Sequence, residues 1–325
     1  MKVGIVLNQN AGKKIIDNSL INNFLEFFRG SSFFCLDRSL VHIRKIIPDV
    51  FSVETDIQHF PYNDSVLSGF CINSVDIFIV FGGDGTISDV IFGQNLNNKK
   101  IPIFGIGTGS ANTGPFINIK KENDFKFYNP NKLLFENVNS LDVLDEKEKL
   151  IRSAFIDVVF SDCNISTLNG KIVLVSSDHY LKNEYIEKNP ESIWTKESNI
   201  KINKKDIKFP FSPMQIIAST IRNKEFFNEK AVFGISSWLP YSEKKALLTV
   251  SDKIIIKMTK PEDLESASGI ITKQFLFGEG DSIEIATNKG YVIIDGNPLK
   301  KMNTVYSKVL LKYNDTSAVR IKRNY

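Results

Sequence analysis

Apolar residues in the first third of the chain form short runs, and mixed polar and apolar segments separate these runs. Residues 2–7, 75–81 and 101–106 are runs long enough for buried strands, and residues 19–29 carry phenylalanines at helical spacing. Strands that alternate with helical patterns are typical of a parallel sheet. The first third therefore predicts an α/β domain.

The pattern changes after about residue 140. Alternating or β-branched runs now follow one another with tight turns between them, which favours an antiparallel sheet or sandwich. These runs are residues 154–160, 171–175, 247–250, 254–258, 282–286 and 291–294. The polar stretch 183–208 is rich in Asn, Lys and Glu and predicts a long solvated loop.

One turn stands out because it places a carboxylate among glycines. Gly82-Gly83-Asp84-Gly85-Thr86 directly follows the apolar run 75–81. A buried strand that ends in such a turn brings backbone N–H groups and a side-chain oxygen to the carboxyl edge of a sheet. A simple Asp-Gly hairpin is the alternative. Residues 87–92 lack strict alternation, so a strand, loop and helix are predicted instead.

A second glycine-rich loop follows the next run, at residues 107–115. Together the two loops could enclose a nucleotide. The second loop does not match the dinucleotide fingerprint, because Asn112 or Ser110 stands where the third glycine is required. The lysines after Gly12 are not followed by Ser or Thr, so a Walker P-loop is excluded as well.

Composition limits the class of protein but does not name it. The 325 residues are 42% hydrophobic and 24% charged, which is enough to build a substantial core and favours two domains. A formal net charge of +4 is too small to indicate a nucleic-acid or anionic-membrane partner. No apolar stretch approaches about 20 residues, and the first residues resemble a strand rather than a signal peptide. We expect a cytoplasmic protein.

The cysteines and histidines do not form a recognisable metal or disulfide pattern. The cysteines are widely spaced and odd in number: Cys35, Cys71 and Cys163. The histidines also lack ligand spacing: His42, His59 and His179. Surface or locally hydrogen-bonded roles are expected for the histidines.

The glycine turn after a strand resembles the signature of the superfamily that contains NAD kinases, diacylglycerol kinases and sphingosine kinases. Three further segments are similar to segments of this superfamily in order and spacing: residues 4–13, 107–112 and 280–297. The resemblance implies a Rossmann-like domain with a parallel sheet, followed by a β-sandwich, with the last strand returning to the first domain. The predicted domains are residues 1–140 with 308–325, and residues 141–307.

The resemblance also implies site residues. Asp84 is the natural base for phosphoryl transfer, which requires positioning and neutralisation of charge. The donor phosphates and nucleotide are assigned to the residues Asn8, Gly82, Gly83, Gly85, Thr86, Gly107, Thr108, Gly109, Ser110 and Asn112. Mg²⁺ would bridge donor oxygens, with ATP or polyphosphate as donor, and no metal ligand is assigned.

The acceptor half of the motif set departs from its relatives. Residues 154–159 resemble a segment of NAD kinases that contacts the dinucleotide, with Asp157 retained and Ile156 in place of asparagine. A second NAD kinase motif is not recognisable, and residues 217–220, which include Ser219, are at best a remnant of it. Asp295, in an Asp-Gly turn, is assigned to the substrate, although a simple hairpin explains it equally well. Asp89 stands where lipid kinases carry an acid.

The leading hypothesis is an NAD kinase-like enzyme that phosphorylates the 2′-hydroxyl of the adenosine ribose of NAD. A diacylglycerol kinase-like lipid kinase and a non-catalytic nucleotide sensor are the alternatives. We expect NAD or a related small molecule as partner, with no nucleic acid and no stable membrane association. The resemblance implies a homodimer or homotetramer.

Overall fold

A computed structural model describes residues 1–8, 18–54, 63–109, 112, 114–168, 171–182, 184–220, 246–256, 269–302 and 308–324. The chain divides into two compact units. Unit 1 contains Met1–Val138 and Thr316–Tyr325, and unit 2 contains Asn139–Asp315. The division predicted from the sequence has its boundaries at residues 140 and 308.

Unit 1 is built around a parallel sheet with strand order β5-β4-β1-β2-β3. Its strands are β1 (Lys2–Leu7), β2 (Ser32–Leu36), β3 (Val50–Val53), β4 (Ile77–Gly82), β5 (Ile103–Gly107) and β6 (Ile117–Ile119). Its α-helices are α1 (Asn18–Phe27), α2 (Leu40–Ile43), α3 (Asp64–Cys71) and α4 (Asp84–Leu96). Short 3₁₀ helices occupy Asp37–Ser39 and Glu122–Phe127.

The register of this sheet aligns the carboxyl ends of three strands. Leu7 of β1 pairs with Phe81 of β4, and Gly82 pairs with Gly107 of β5. Because parallel strands end at the same edge of a sheet, the residues that follow each of these strands become neighbours. This register places the two glycine loops side by side.

Phenylalanines fill the core beside the sheet, as their helical spacing in α1 predicts. Phe24 is fully buried, and its ring centroid lies 5.3 Å from that of Phe28 and 5.2 Å from that of Phe81. Such tilted and edge-on aromatic pairs add to the stability that area burial alone supplies. Phe27 continues the aromatic cluster toward Phe104.

Helices α3 and α4 make an unusually close contact through glycines. A Cβ added to Gly69 would lie 2.0 Å from the Val90 carbonyl oxygen, and one added to Gly93 would lie 2.0 Å from the Val66 carbonyl oxygen. Helix α4 is buried on several faces, so its sequence lacks a clear polar side. The two glycines therefore set how closely α3 can approach α4.

In its described residues, unit 2 consists almost entirely of β-strands, with one short helix. Its elements are β7 (Leu134–Leu144), β8 (Leu150–Ala154), β9 (Asp157–Ser161), β10 (Cys163–Leu168), β11 (Lys171–Ser176), α5 (Ser177–Tyr180), β12 (Asn199–Ile202), β13 (Lys205–Ile207), β14 (Gln215–Thr220), β15 (Ala246–Ser251), β16 (Thr272–Phe277), β17 (Ser282–Ala286), β18 (Tyr291–Ile294), β19 (Asn297–Lys301) and β20 (Lys308–Lys322). The first residues of β7 and the last of β20 belong to unit 1.

Two antiparallel arrays enclose the core of unit 2. One has the order β16-β15-β14-β9-β18-β19, and the other has the order β13-β12-β17-β20. One buried cluster contains Val158, Ala218 and Leu248 from the first array and Ile283 and Leu311 from the second. The predicted fold class, α/β followed by an antiparallel β-sandwich, is confirmed.

Three local predictions for unit 2 were wrong. The polar stretch 183–208 is not simply a solvated loop, because it contains β12 and β13, and Ile200 is fully buried. A strand with a single buried apolar face can be mostly polar in sequence. Residues 154–160 form two strands with a bend between them, and the described residues 254–256 are not in a strand.

Among the helices of the described residues, none combines the length and hydropathy that a membrane crossing requires.

Candidate functional site

Asp84 lies in the first turn of α4, directly after the end of β4. Gly83 is the N-cap residue, with φ −99° and ψ −174°, and Asp84 begins the helix. A carboxylate in the first turn is stabilised by the N-terminal end of the helix dipole. The predicted order of strand, loop and helix is therefore observed, and the hairpin alternative is excluded.

The two glycine loops touch each other through their backbones. The Thr108 N–H donates to the Gly82 carbonyl oxygen at 3.0 Å. A Cβ added to Gly109 would lie 2.7 Å from the Gly83 Cα, closer than side chains approach backbone atoms in proteins. This close approach requires glycine at position 109, and a Cβ on Gly83 would lie 3.2 Å from the Gly109 Cα.

A hydrogen bond from a neighbouring loop holds the Asp84 carboxylate. The Gly114 N–H donates to Asp84 Oδ1 at 2.8 Å. Asp84 also interacts with Lys120, which follows β6. Desolvation lowers the pKa of Lys120, while the Asp84 carboxylate acts in the opposite direction. Gly114 and Lys120 were not predicted as site residues, because neither stands out in the sequence.

Asn8 connects the end of β1 to the first turn of α4. Its backbone N–H donates to the Phe81 carbonyl oxygen at 3.0 Å, and its Nδ2 donates to Thr86 Oγ1 at 2.8 Å. The Thr86 hydroxyl is thus engaged within the protein. The structure places Asn8 beside the glycine turn, as a contact of Thr86.

Thr108 and Asn112 each present a buried oxygen for which the described part of the chain supplies no hydrogen-bond partner. Thr108 is 6% exposed, and its Oγ1 has no partner among the described residues. The same is true of Asn112 Oδ1, while Asn112 Nδ2 donates to the Gly109 carbonyl oxygen at 2.7 Å. Buried polar atoms are rarely left unsatisfied, so these two oxygens are suited to a ligand. The predicted site residue Ser110 lies outside the described residues.

The remaining predicted residues of the glycine loops are Gly82, Gly83, Gly85, Gly107 and Gly109, and all of them lie at this edge of the unit 1 sheet.

Asp157 and Asp295 come together in unit 2. The Asp295 carboxylate accepts hydrogen bonds from three consecutive backbone N–H groups, those of Phe155, Ile156 and Asp157, at 2.7 to 3.2 Å. The Asp295 N–H in turn donates to the Asp157 carbonyl oxygen at 3.0 Å. Asp295 therefore holds the bend between β8 and β9 in place.

The Asp157 side chain itself is buried, with 6% exposure. Burial, and secondarily the nearby Asp295 carboxylate, raises the pKa of Asp157 to about 8. A carboxyl group with this pKa carries a proton at neutral pH and can donate a hydrogen bond. Ser219 of β14 stands directly opposite Asp157 in the sheet. This strand pairing places residues 154–159 and residues 217–220, the two segments compared with NAD kinase motifs, next to each other.

Other flagged residues have local partners. Asp89 accepts a hydrogen bond from Asn63 Nδ2 at 2.7 Å, and Asn63 also caps α3. The His179 Nδ1 atom lies 3.0 Å from Ser176 Oγ, and His42 is exposed. His59 lies outside the described residues. No cluster of three His, Cys, Asp or Glu side chains suited to a metal occurs within the described ranges.

The class of protein follows from comparison with known families. Residues 3–120 match the family model of the ATP-NAD kinase N-terminal domain. This match covers β1 to β6, the glycine turn and the second glycine loop. The resemblance to the NAD kinase and diacylglycerol kinase superfamily is confirmed, and with it the prediction of a kinase that phosphorylates an alcohol.

The chain is also similar to one uncharacterized relative and to solved structures that share its fold. The chain is 25% identical over 309 residues to an uncharacterized protein of Archaeoglobus fulgidus, with 92% of each chain covered. The crystal structure of yeast NADH kinase complexed with NADH has a TM-score of 0.55 at 11% identity, with 99% of this chain and 83% of that chain covered. A putative diacylglycerol kinase from Bacillus anthracis has a TM-score of 0.53 at 14% identity, with coverage of 99% and 97%. At these identities the solved structures establish the fold.

Proposed function

We propose that this protein is an NAD kinase-like phosphotransferase that transfers a phosphoryl group from ATP or polyphosphate to the 2′-hydroxyl of the adenosine ribose of NAD. One observation carries the proposal. Asp84 stands at the N-terminus of a helix, in the first of two glycine loops that contact each other through their backbones, with its carboxylate oriented by the Gly114 N–H.

The donor half of the reaction is supported by the chemistry of the two glycine loops. Phosphoryl transfer needs little covalent participation from the protein, but it needs donors aimed at phosphate oxygens. A helix N-terminus directs backbone N–H groups and the positive end of its dipole toward a bound anion, and α4 begins at Asp84. The buried Thr108 hydroxyl, which lacks a partner among the described residues, adds a hydrogen-bond donor.

Mg²⁺ is compatible with this arrangement when the donor phosphates supply most of its ligands. Magnesium is usually held by one or two carboxylates together with substrate phosphates, rather than by a cage of protein ligands. The described residues contain no such cage, and Asp84 is the carboxylate at the glycine turn. When bound, the ion would neutralise charge on the donor phosphates.

Asp84 is assigned the role of base. Its carboxylate would accept the proton of the attacking hydroxyl, and the Gly114 N–H keeps the other side of that carboxylate oriented. Lys120, which interacts electrostatically with Asp84, adds positive charge to the same neighbourhood. Asp84 thus accepts the proton, and Gly114 holds its carboxylate in place.

The acceptor half is supported by Asp157 and its neighbours. A protonated Asp157, fixed by the bend that Asp295 holds, offers a hydrogen bond to a polar acceptor. Ser219 opposite Asp157 adds a hydroxyl. A dinucleotide can form hydrogen bonds with these two polar side chains. An acyl chain cannot, and it would leave them buried without a partner.

The experiment offers the purified protein Mg²⁺ with ATP or polyphosphate, and NAD⁺, NADH or diacylglycerol as acceptor. Formation of ADP and of the phosphorylated acceptor is measured for each pair. Turnover with NAD⁺ or NADH is expected. Turnover with diacylglycerol alone, or tight nucleotide binding without any turnover, would contradict the proposal.

Asp84→Asn tests the base directly. Because a positioned base contributes about 10²–10⁴ to the rate, kcat should fall by that factor while the fold is retained. Asp206→Asn removes an exposed carboxylate from the β12–β13 hairpin and serves as the matched control, with full activity expected. An Asp84→Asn enzyme with unchanged kcat would eliminate Asp84 as the base.

A further inference from the structure

The loop that orients Asp84 is itself held by the end of the chain. Gly114, whose N–H binds the Asp84 carboxylate, precedes Pro115. The Pro115 carbonyl oxygen accepts a hydrogen bond of 2.6 Å from the Arg320 guanidinium. Arg320 lies near the end of β20, where it pairs in register with Ile103 of β5. A residue 205 positions away along the chain thus contacts the loop beside Asp84.

The guanidinium of Arg320 is fixed from its other side by Glu136. Both Arg320 Nε and a terminal guanidinium nitrogen bind the Glu136 carboxylate. The Arg320 side chain is only 13% exposed and that of Glu136 is 29% exposed, so water screens this pair weakly. A planar guanidinium that binds a carboxylate along one edge keeps its remaining N–H groups in a fixed direction. Here that direction is toward Pro115.

The contact at Pro115 reaches Gly114 through a stiff stretch of backbone. The proline ring fixes φ of Pro115 near −65°, and the residue before a proline has a restricted conformation. Between the Pro115 carbonyl, which Arg320 holds, and the Gly114 N–H, which holds Asp84, the peptide bond and φ of Pro115 are fixed, so the two groups lie within one short, partly rigid stretch of backbone. Displacement of one of these groups displaces the other.

A second hydrogen bond to β20, made by Asn118, holds the same loop. Asn118 Nδ2 donates to the Ile321 carbonyl oxygen at 2.8 Å, and Asn118 Oδ1 accepts from the Gly105 N–H at 3.0 Å. Asn118 is 3% exposed. Residues 114–119 are therefore held between β5 and the C-terminal end of β20.

We propose that Arg320, oriented by Glu136, is a positioning residue that holds the Gly114–Pro115 segment and through it the Asp84 carboxylate. The proposal rests on the proposed function, because it assigns Arg320 a role in the reaction of Asp84. The C-terminal strand of this chain is then part of the catalytic apparatus, although it contributes no reacting group.

Hydrogen exchange tests the positioning without reference to any substrate. In Arg320→Met, peptides that contain Gly114 should exchange at least about tenfold faster than in the wild-type protein, because the loop loses its anchor. Lys312→Met is the matched control, since it removes a cation of the same strand whose Nζ lies 2.7 Å from Glu148 in unit 2. Unchanged exchange at Gly114 in a folded Arg320→Met protein would overturn the proposal.

Steady-state kinetics test the consequence for the reaction. Because misplacement by about 1 Å can cost a factor of about 10², kcat of Arg320→Met should fall about tenfold to a hundredfold, with KM for both substrates within about twofold of wild type. Arg320→Lys should recover part of kcat, because an ammonium can still donate to Pro115 but cannot bind Glu136 along an edge. Glu136→Gln should fall between these two variants. Thermal unfolding of each variant shows that it is folded.

The outcomes separate this proposal from the proposed function. If the wild-type protein turns over none of the acceptors, the proposed function fails, and hydrogen exchange still decides whether Arg320 holds the loop. If the wild-type protein is active and Arg320→Met keeps its kcat, the positioning role is refuted while the kinase function stands. A rise in KM without a change in kcat would also refute it.

Discussion

Asp157 provides the most direct physical test of the acceptor half, through the dependence of stability on pH. Its pKa is raised from the ordinary value of 3.8 to about 8 in the folded protein, chiefly by burial. Between about pH 4 and pH 8 the folded protein therefore keeps a proton that the unfolded chain has already released. Asp157→Asn replaces this group by an amide that is neutral throughout the range.

The sign follows from proton linkage. Where the folded state binds more protons than the unfolded state, the free energy of unfolding falls as pH rises. Below about pH 4 both states hold the proton, so Asp157 does not make the free energy of unfolding depend on pH. Between the two pKa values the loss is at most about 1.4 kcal/mol per pH unit, so it reaches about 3 kcal/mol from pH 5 to pH 7. The stability of Asp157→Asn relative to wild type should rise by up to that amount over these two units.

Urea unfolding at pH 5, 6 and 7, followed by tryptophan fluorescence, measures this difference. Trp194 lies in unit 2, with its ring 5.6 Å from that of Phe209, and reports on the unit that contains Asp157. Asp206→Asn is the control, and its curve should run parallel to wild type. If Asp157→Asn also runs parallel to wild type across this range, the buried, protonated state of Asp157 is refuted.

Two further predictions concern glycines at close contacts. Gly109→Ala places a Cβ 2.7 Å from the Gly83 Cα, about 0.7 Å short of ordinary contact at 3.4 Å, so the glycine loops must separate and kcat should fall about tenfold or more in steady-state assays. An unchanged kcat would show that the close approach is not needed. Gly93→Ala places a Cβ 2.0 Å from the Val66 carbonyl oxygen and should lower the free energy of unfolding by at least about 1–3 kcal/mol in denaturant titrations. Asn95→Ala, on the same helix, is its control and should stay within about 0.5 kcal/mol of wild type; equal losses in both variants would contradict the contact.

The elements of unit 1 that the sequence predicted, β1, α1, β4, α4 and β5, have local signals, whereas β2, β3, β6, α2 and α3 were not predicted. The run at residues 75–81, the glycines after it and the polar start of α4 all lie within about twenty consecutive residues. Buried parallel strands are apolar along their whole length, so they stand out in the sequence. Strand β12 has a weaker signal, because Ile200 is fully buried and Ile202 packs partly buried against the same core, while Asn199 and Lys201 are polar.

The acceptor segment shows the limit of motif comparison. Ile156 departs from the NAD kinase pattern, and the sequence alone leaves Asp157 as an isolated carboxylate. The sheet register places Ser219 opposite it, and the carboxylate of Asp295, 138 residues away, binds its backbone N–H. Neither relation has a sequence spacing from which it could be inferred.

By itself the sequence determined the α/β and all-β order of the chain, the glycine turn that carries Asp84 and the second glycine loop, since each depends on the local periodicity and the conformational freedom of a few neighbouring residues. Only the tertiary structure decided what surrounds Asp84. The Gly114 N–H is 30 positions from the carboxylate that it orients, and Arg320 is 205 positions from the carbonyl that it holds. Hydrogen bonds between distant segments depend on how strands align in a sheet, and that alignment is set by packing of the whole unit rather than by the residues that the bonds join.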